Sequence, residues 1–147
     1  MHTIRYAIAA IALGVSLLAQ ADTRGCEKFP VVSTKAQDGT TIGVFISEAQ
    51  FKRAPVWSPG HRDPPLSIVK VVEISEKWAK TQYEGHDSAR IQTISLSEFG
   101  CFGETKYWYY TVHFVPVKDG KPSLGGHFAA VLFDGTLIGP TKVKDAY

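Results

Sequence analysis

The chain carries no Gly-x-Ser-x-Gly elbow, no His-Glu-x-x-His, no glycine-rich phosphate loop and no Cys-x-x-Cys. Those absences remove the commonest signatures of serine hydrolases, zinc proteases, nucleotide binders and thiol oxidoreductases. Lysine and arginine are dispersed without a basic run, and the formal net charge is only +2. Such a balance lacks the electrostatic footprint of a nucleic-acid binder. No apolar stretch approaches the roughly 20 residues needed to span a bilayer. No internal repeat or low-complexity linker divides the 147 residues. Cysteine is scarce too, with Cys26 and Cys101 alone.

What is present is the composition of an ordinary globular domain, 44% hydrophobic and 20% charged. At this length one domain is the default. The first residues differ from the rest. Arg5 closes a short basic start, residues 7–19 are apolar and uncharged, and Ala19-Gln20-Ala21 offers small residues at both positions a signal peptidase needs. This pattern predicts a secretory signal peptide over residues 1–21 and a single domain over residues 22–147, periplasmic or secreted, with no stable membrane insertion after cleavage. Thr23-Arg24-Gly25 before Cys26 does not fit a lipobox. In an oxidising compartment Cys26 and Cys101 are expected to form a disulfide. Closing so long a loop contributes roughly 4 kcal/mol.

Residues 106–117 are the strongest strand, with four consecutive aromatics followed by β-branched residues. Alternation places Trp108, Tyr110, Val112 and Phe114 on an apolar face expected to meet the core. Tyr107, Tyr109, Thr111, His113 and Val115 fall on the opposite face, which tolerates water. Earlier in the chain, Asp38-Gly39 is a two-residue hairpin turn between strands over residues 29–34 and 41–46. Residues 52–65 hold Pro55, Pro59, Pro64 and Pro65 with Gly60, and read as a surface loop. Trp57, His61 and Arg62 inside it are either a binding feature or, more commonly for such a Trp, a lid on the core edge.

Residues 66–83 predict the main helix. Ile68, Val71, Val72, Ile74, Trp78, Ala79 and Tyr83 share an apolar arc, Asp63 or Ser67 can cap its start, and Gly85 can end it. Strands are expected over residues 90–97 and 127–133. Asp134-Gly135 then turns the chain into a short strand at residues 136–138, and Pro140 ends the regular part. Pairing the two long strands with Trp108, Tyr110, Val112 and Phe114 beside Phe128, Ala130 and Leu132 puts His113 and His127 together on the outer face. Two histidines could begin a zinc or copper site, but no third ligand is evident and no metal or cofactor is assigned. Tyr107, Tyr109, His113 and His127 join the loop residues as candidate binding positions. No catalytic residues are assigned.

From about residue 64 to residue 138 the order is a proline-started helix, a strand, a strand rich in Trp and Tyr, and a strand ending Leu132-Phe133-Asp134-Gly135-Thr136. This order resembles the small exported α+β domains grouped around PepSY and cystatin-like folds. The resemblance implies one helix across an antiparallel sheet of four or more strands, with a binding or inhibitory role toward another protein. The Gln-x-Val-x-Gly loop of true cystatins is missing. The alternative reading is a small cone-shaped ligand binder or enzyme, similar to the nuclear-transport-factor-like fold, with a pocket between helix and sheet. A filled helix–sheet interface favours the first reading and a deep concavity there the second.

Overall fold

The computed structural model of the chain describes residues 27–101 and 105–144. The expected signal peptide and Cys26 lie outside the described residues. The elements, in chain order, are β1 (Val32–Lys35), β2 (Thr41–Val44), α1 (Glu48–Arg53), α2 (Ile68–Gln82), β3 (Ser88–Phe99), β4 (Tyr107–Lys118), β5 (Lys121–Pro122), β6 (Phe128–Leu132), β7 (Leu137–Ile138) and β8 (Thr141–Val143). Every strand pairing is antiparallel, so the fold is α+β with its main helix lying on a sheet. Among the described residues no helix is long and apolar enough to cross a membrane.

The larger sheet runs β3-β4-β6-β7, with β5 pairing β4. β4 sits inside it and is buried along nearly its whole length. α2 covers one face. Ser67 caps the helix, its hydroxyl accepting from the Lys70 N–H, and Gly85 follows its C-terminus at φ 85. Trp78 lies against Phe114 at 5.4 Å between ring centroids, and the Tyr110 hydroxyl donates to the Leu66 carbonyl. The apolar face expected to meet the helix does so. Ile68 is the exception within the arc, being 51% exposed in the first turn, while Ser75 takes a fully buried place.

The opposite face is also covered, which corrects the expectation that it tolerates water. Phe51 of α1 is fully buried and stacks on Phe99 and Tyr107, with Tyr109 edge-on to it. α1 was not expected from periodicity, and it corrects the start of the expected surface loop, since Lys52 and Arg53 belong to the helix. It is nucleated by a capping box between Ser47 and Gln50, which satisfies N–H groups that a short helix otherwise leaves unpaired. The smaller sheet, β1-β2-β8, completes this cover, and the Tyr109 hydroxyl donates to the Val31 carbonyl. β8 corrects a second expectation: regular structure resumes after Pro140 and pairs with β2. Packing against both sides explains why Tyr107, Tyr109 and Thr111 are buried along with Tyr110 and Val112.

Candidate functional site

The polar chemistry gathers where α2 ends. Tyr83 caps the helix and accepts a hydrogen bond at its carbonyl from the His86 N–H, closing a tight turn through Gly85. Asp87 then ties that turn to the sheet. Its N–H donates to the Val117 carbonyl, and its carboxylate accepts from the Gly120 N–H at 2.8 Å. Asp119 and Gly120 both have positive φ (51° and 70°), as a two-residue β4–β5 turn of the primed type requires.

Between the last turns of α2 and the start of β3 lies a cleft of about 510 Å³. Its walls include Glu76, Lys80, Glu84 and Asp87, with Tyr83 and His86 at the end. Three carboxylates face one ammonium there, beside carbonyls at the helix C-terminus, so the local potential favours a cation. Tyr83 forms the apolar floor. Its ring meets His86 at 5.6 Å, His127 at 5.5 Å and Phe114 at 6.0 Å. Burial pushes the Tyr83 phenol up to about 12, so it is neutral over the physiological range. Burial, and then the neighbouring His86, hold His127 below its ordinary value.

His127 Nε2 lies 2.8 Å from Ser123 Oγ, a hydroxyl–imidazole pair on an exposed loop. Such a pair supplies a base beside a hydroxyl, but Ser123 is not among the cleft-lining residues. His86 Nδ1 is buried and has no hydrogen-bond partner among the described residues. Among those residues no group of three or more His, Cys, Asp or Glu is placed to hold a metal ion.

The residues singled out from sequence are scattered. Trp57 is 7% exposed, edge-on to Trp108 and Phe133, and donates its indole N–H to the Arg62 carbonyl. It is a lid on the core. His61 and Arg62 are exposed beyond it. Tyr107 and Tyr109 are buried beneath α1. His113 and His127 are not neighbours: β4 and β6 pair His113 with Phe128 and Val112 with Ala129. This register is shifted by one residue from the expected one, so His127 lies on the α2 face against Tyr83 while His113 lies on the other. His127's histidine neighbour is His86, which helix-stop chemistry at Gly85 could have placed beside the helix end but which strand parity could not. Cys101 is exposed after β3 and is not a free thiol. The other half of the expected bridge, Cys26, lies outside the described residues.

The chain matches no protein-family model, no curated protein and no solved structure.

Proposed function

We propose that the chain is an exported, non-catalytic module that binds another polypeptide through the cleft at the end of α2. The observation that carries this reading is the filling of the central sheet on both faces. Val71 and Ala79 of α2, Val112 of β4, and Ala129 and Val131 of β6 are almost completely buried on one side, as are Val44, Ile46 and Phe51 on the other. Such packing fills the middle of the helix–sheet interface and leaves the open cleft at the end of α2 as the concavity nearest to it. Recognition is then left to the surface, where the acidic cleft suits a lysine or arginine side chain presented by the partner. The resemblance to small exported binding and inhibitory domains points the same way.

A second reading keeps the cleft and changes its occupant. Its volume of about 510 Å³ is within the usual range for small-ligand sites, and Tyr83 offers an aromatic wall to an organic cation. One experiment separates the two. Affinity capture from the exported fraction should return a specific protein with the parent chain. The Glu76→Lys, Glu84→Lys double variant should lose it, and capture by the parent should weaken with rising salt. Capture that survives the double variant sinks the cleft as the protein-binding surface. Binding of a small amine by calorimetry, without any captured protein, favours the second reading.

Export and the disulfide are part of the same proposal. Amino-terminal sequencing of exported material should begin at Asp22, and non-reducing peptide mapping should join Cys26 to Cys101. A mature form that begins at Met1 and sediments with membranes would remove the export claim.

A further inference from the structure

The edges of the two sheets are managed unequally. β7 is two residues long and is followed by Pro140. β1 has four residues, preceded by Pro30 and ending in Lys35. β8 has three and carries Lys142, with Lys144 just beyond. Short length, proline and lysine are the usual devices that keep an edge from pairing with another chain. β3 has twelve residues, and among the described residues no strand pairs with its outer side. Its register irregularity falls between Ile91 and Thr93. Beyond that point Thr93-Ile94-Ser95-Leu96-Ser97 has neither charge nor proline.

The hydrogen-bond phase of this segment follows from its neighbours. Phe114 donates its N–H to the His127 carbonyl across β4 and β6. Alternation then turns Tyr109, Thr111 and His113 toward β3, where they pair with Ser97, Ser95 and Thr93. Ile94 and Leu96 therefore direct their own N–H and C=O groups outward. Their side chains share the α2 face of the sheet, and Leu96 is 37% exposed.

The segment is also close to a palindrome: hydroxyl, aliphatic, Ser95, aliphatic, hydroxyl. We propose that β3 is a self-association edge, pairing antiparallel with β3 of a second copy about a two-fold axis at Ser95. In that register Ile94 lies opposite Leu96 of the partner subunit, and Thr93 opposite Ser97 of the partner subunit. Each aliphatic pair exchanges both outward N–H···O bonds, apolar side chains meet on one face, and hydroxyls meet on the other. A two-fold axis needs a self-complementary surface, and this edge provides one. The pairing lies beyond the cleft and does not depend on what the cleft binds.

The test is sedimentation equilibrium of the chain as its host processes it, at micromolar concentration, with three variants. The parent should sediment at twice the chain mass. Leu96→Pro removes an outward N–H without touching the ladder to β4, and Leu96→Lys sets like charges near the axis; each should halve the mass while the circular dichroism spectrum stays unchanged. Ser95→Cys should give an oxidised, reducible dimer, because non-hydrogen-bonded antiparallel partners stand about 4.5 Å apart at Cα, within disulfide reach. A monomeric parent overturns the proposal. So does a dimer that both Leu96 variants leave intact, or a dimeric Ser95→Cys protein that does not cross-link under oxidation.

Discussion

Gly139 sits so close to Trp78 that a Cβ at position 139 would come within 2.9 Å of Trp78 Cζ2. The chain between β7 and β8 thus passes directly over the helix's indole, which is fixed in turn by Phe114 and Tyr83. Gly139→Ala should therefore displace Trp78 and cost roughly 1–3 kcal/mol, the range for forced overpacking. Urea unfolding followed by tryptophan fluorescence measures both the loss and the changed indole environment. Adding Trp78→Phe should recover part of the loss. An undisturbed Gly139→Ala protein would show that the contact is slack.

Burial on both faces changes what truncation of the aromatic strand does. Tyr109 is 4% exposed and donates its hydroxyl to Val31, whereas Trp78 is only partly buried. Tyr109→Ala should then cost at least as much as Trp78→Ala, about 3–5 kcal/mol. Urea midpoints of both variants beside the parent decide this, and a near-silent Tyr109→Ala would mean that the small sheet and α1 do not cover that face in solution.

Ser75 occupies the middle of the helix's buried side, and its hydroxyl is buried without a hydrogen-bond partner among the described residues. Ser75→Ala removes an unsatisfied polar group and raises helix propensity. We expect stability to rise by about 1 kcal/mol, seen as a higher urea midpoint at unchanged slope. A loss instead would reveal a hydrogen bond to the preceding turn.

The His127 environment sets a pH dependence. Burial, then His86, lowers its folded value below the ordinary 6.5. Between the two values the unfolded chain holds the proton and the fold does not, so stability rises with pH through that window and falls on acidification below about pH 6.5. His127→Gln should flatten this dependence on the acid side of pH 6.5. Tyr83 acts at the other end. Its folded value of about 12 exceeds the ordinary 10.0, so the stability contributed by the neutral phenol is present below pH 10 and lost as pH rises toward 12. Its absorbance should therefore titrate later than that of exposed tyrosine.

The main helix was legible because its apolar arc, its Ser67 cap and its Gly85 stop all agree, and the pairing of Trp78 with Phe114 followed from the same arc. The partner of the second sheet face was not legible. Tyr107, Tyr109 and Thr111 carry hydroxyls, which makes a buried face look amphipathic until the segment that satisfies and covers them is known. The register of β6 was equally hidden. Phe128–Leu132 is apolar at every position and buried throughout, so alternation cannot say which residues face the helix. A one-residue choice there moved His127 from the company of His113 to that of Tyr83 and His86. The candidate cleft, lined by residues between Glu76 and Ala89, was legible only as a helix stop at Gly85, because the side chains that gather at such a stop leave no motif.

The pairing of Thr41 with Val143 has a consequence for the order in which the chain acquires its shape. During synthesis β1 and β2 emerge before the whole of the larger sheet, but the strand that completes their own sheet follows it. The small sheet is therefore closed only after β8 has been made, and the aromatic face of β4 lacks its full cover until then. Such distant pairing is slow because loop entropy is lost before contacts form. The cover of the aromatic face is thus the part of the fold secured after the helix and the larger sheet are in place.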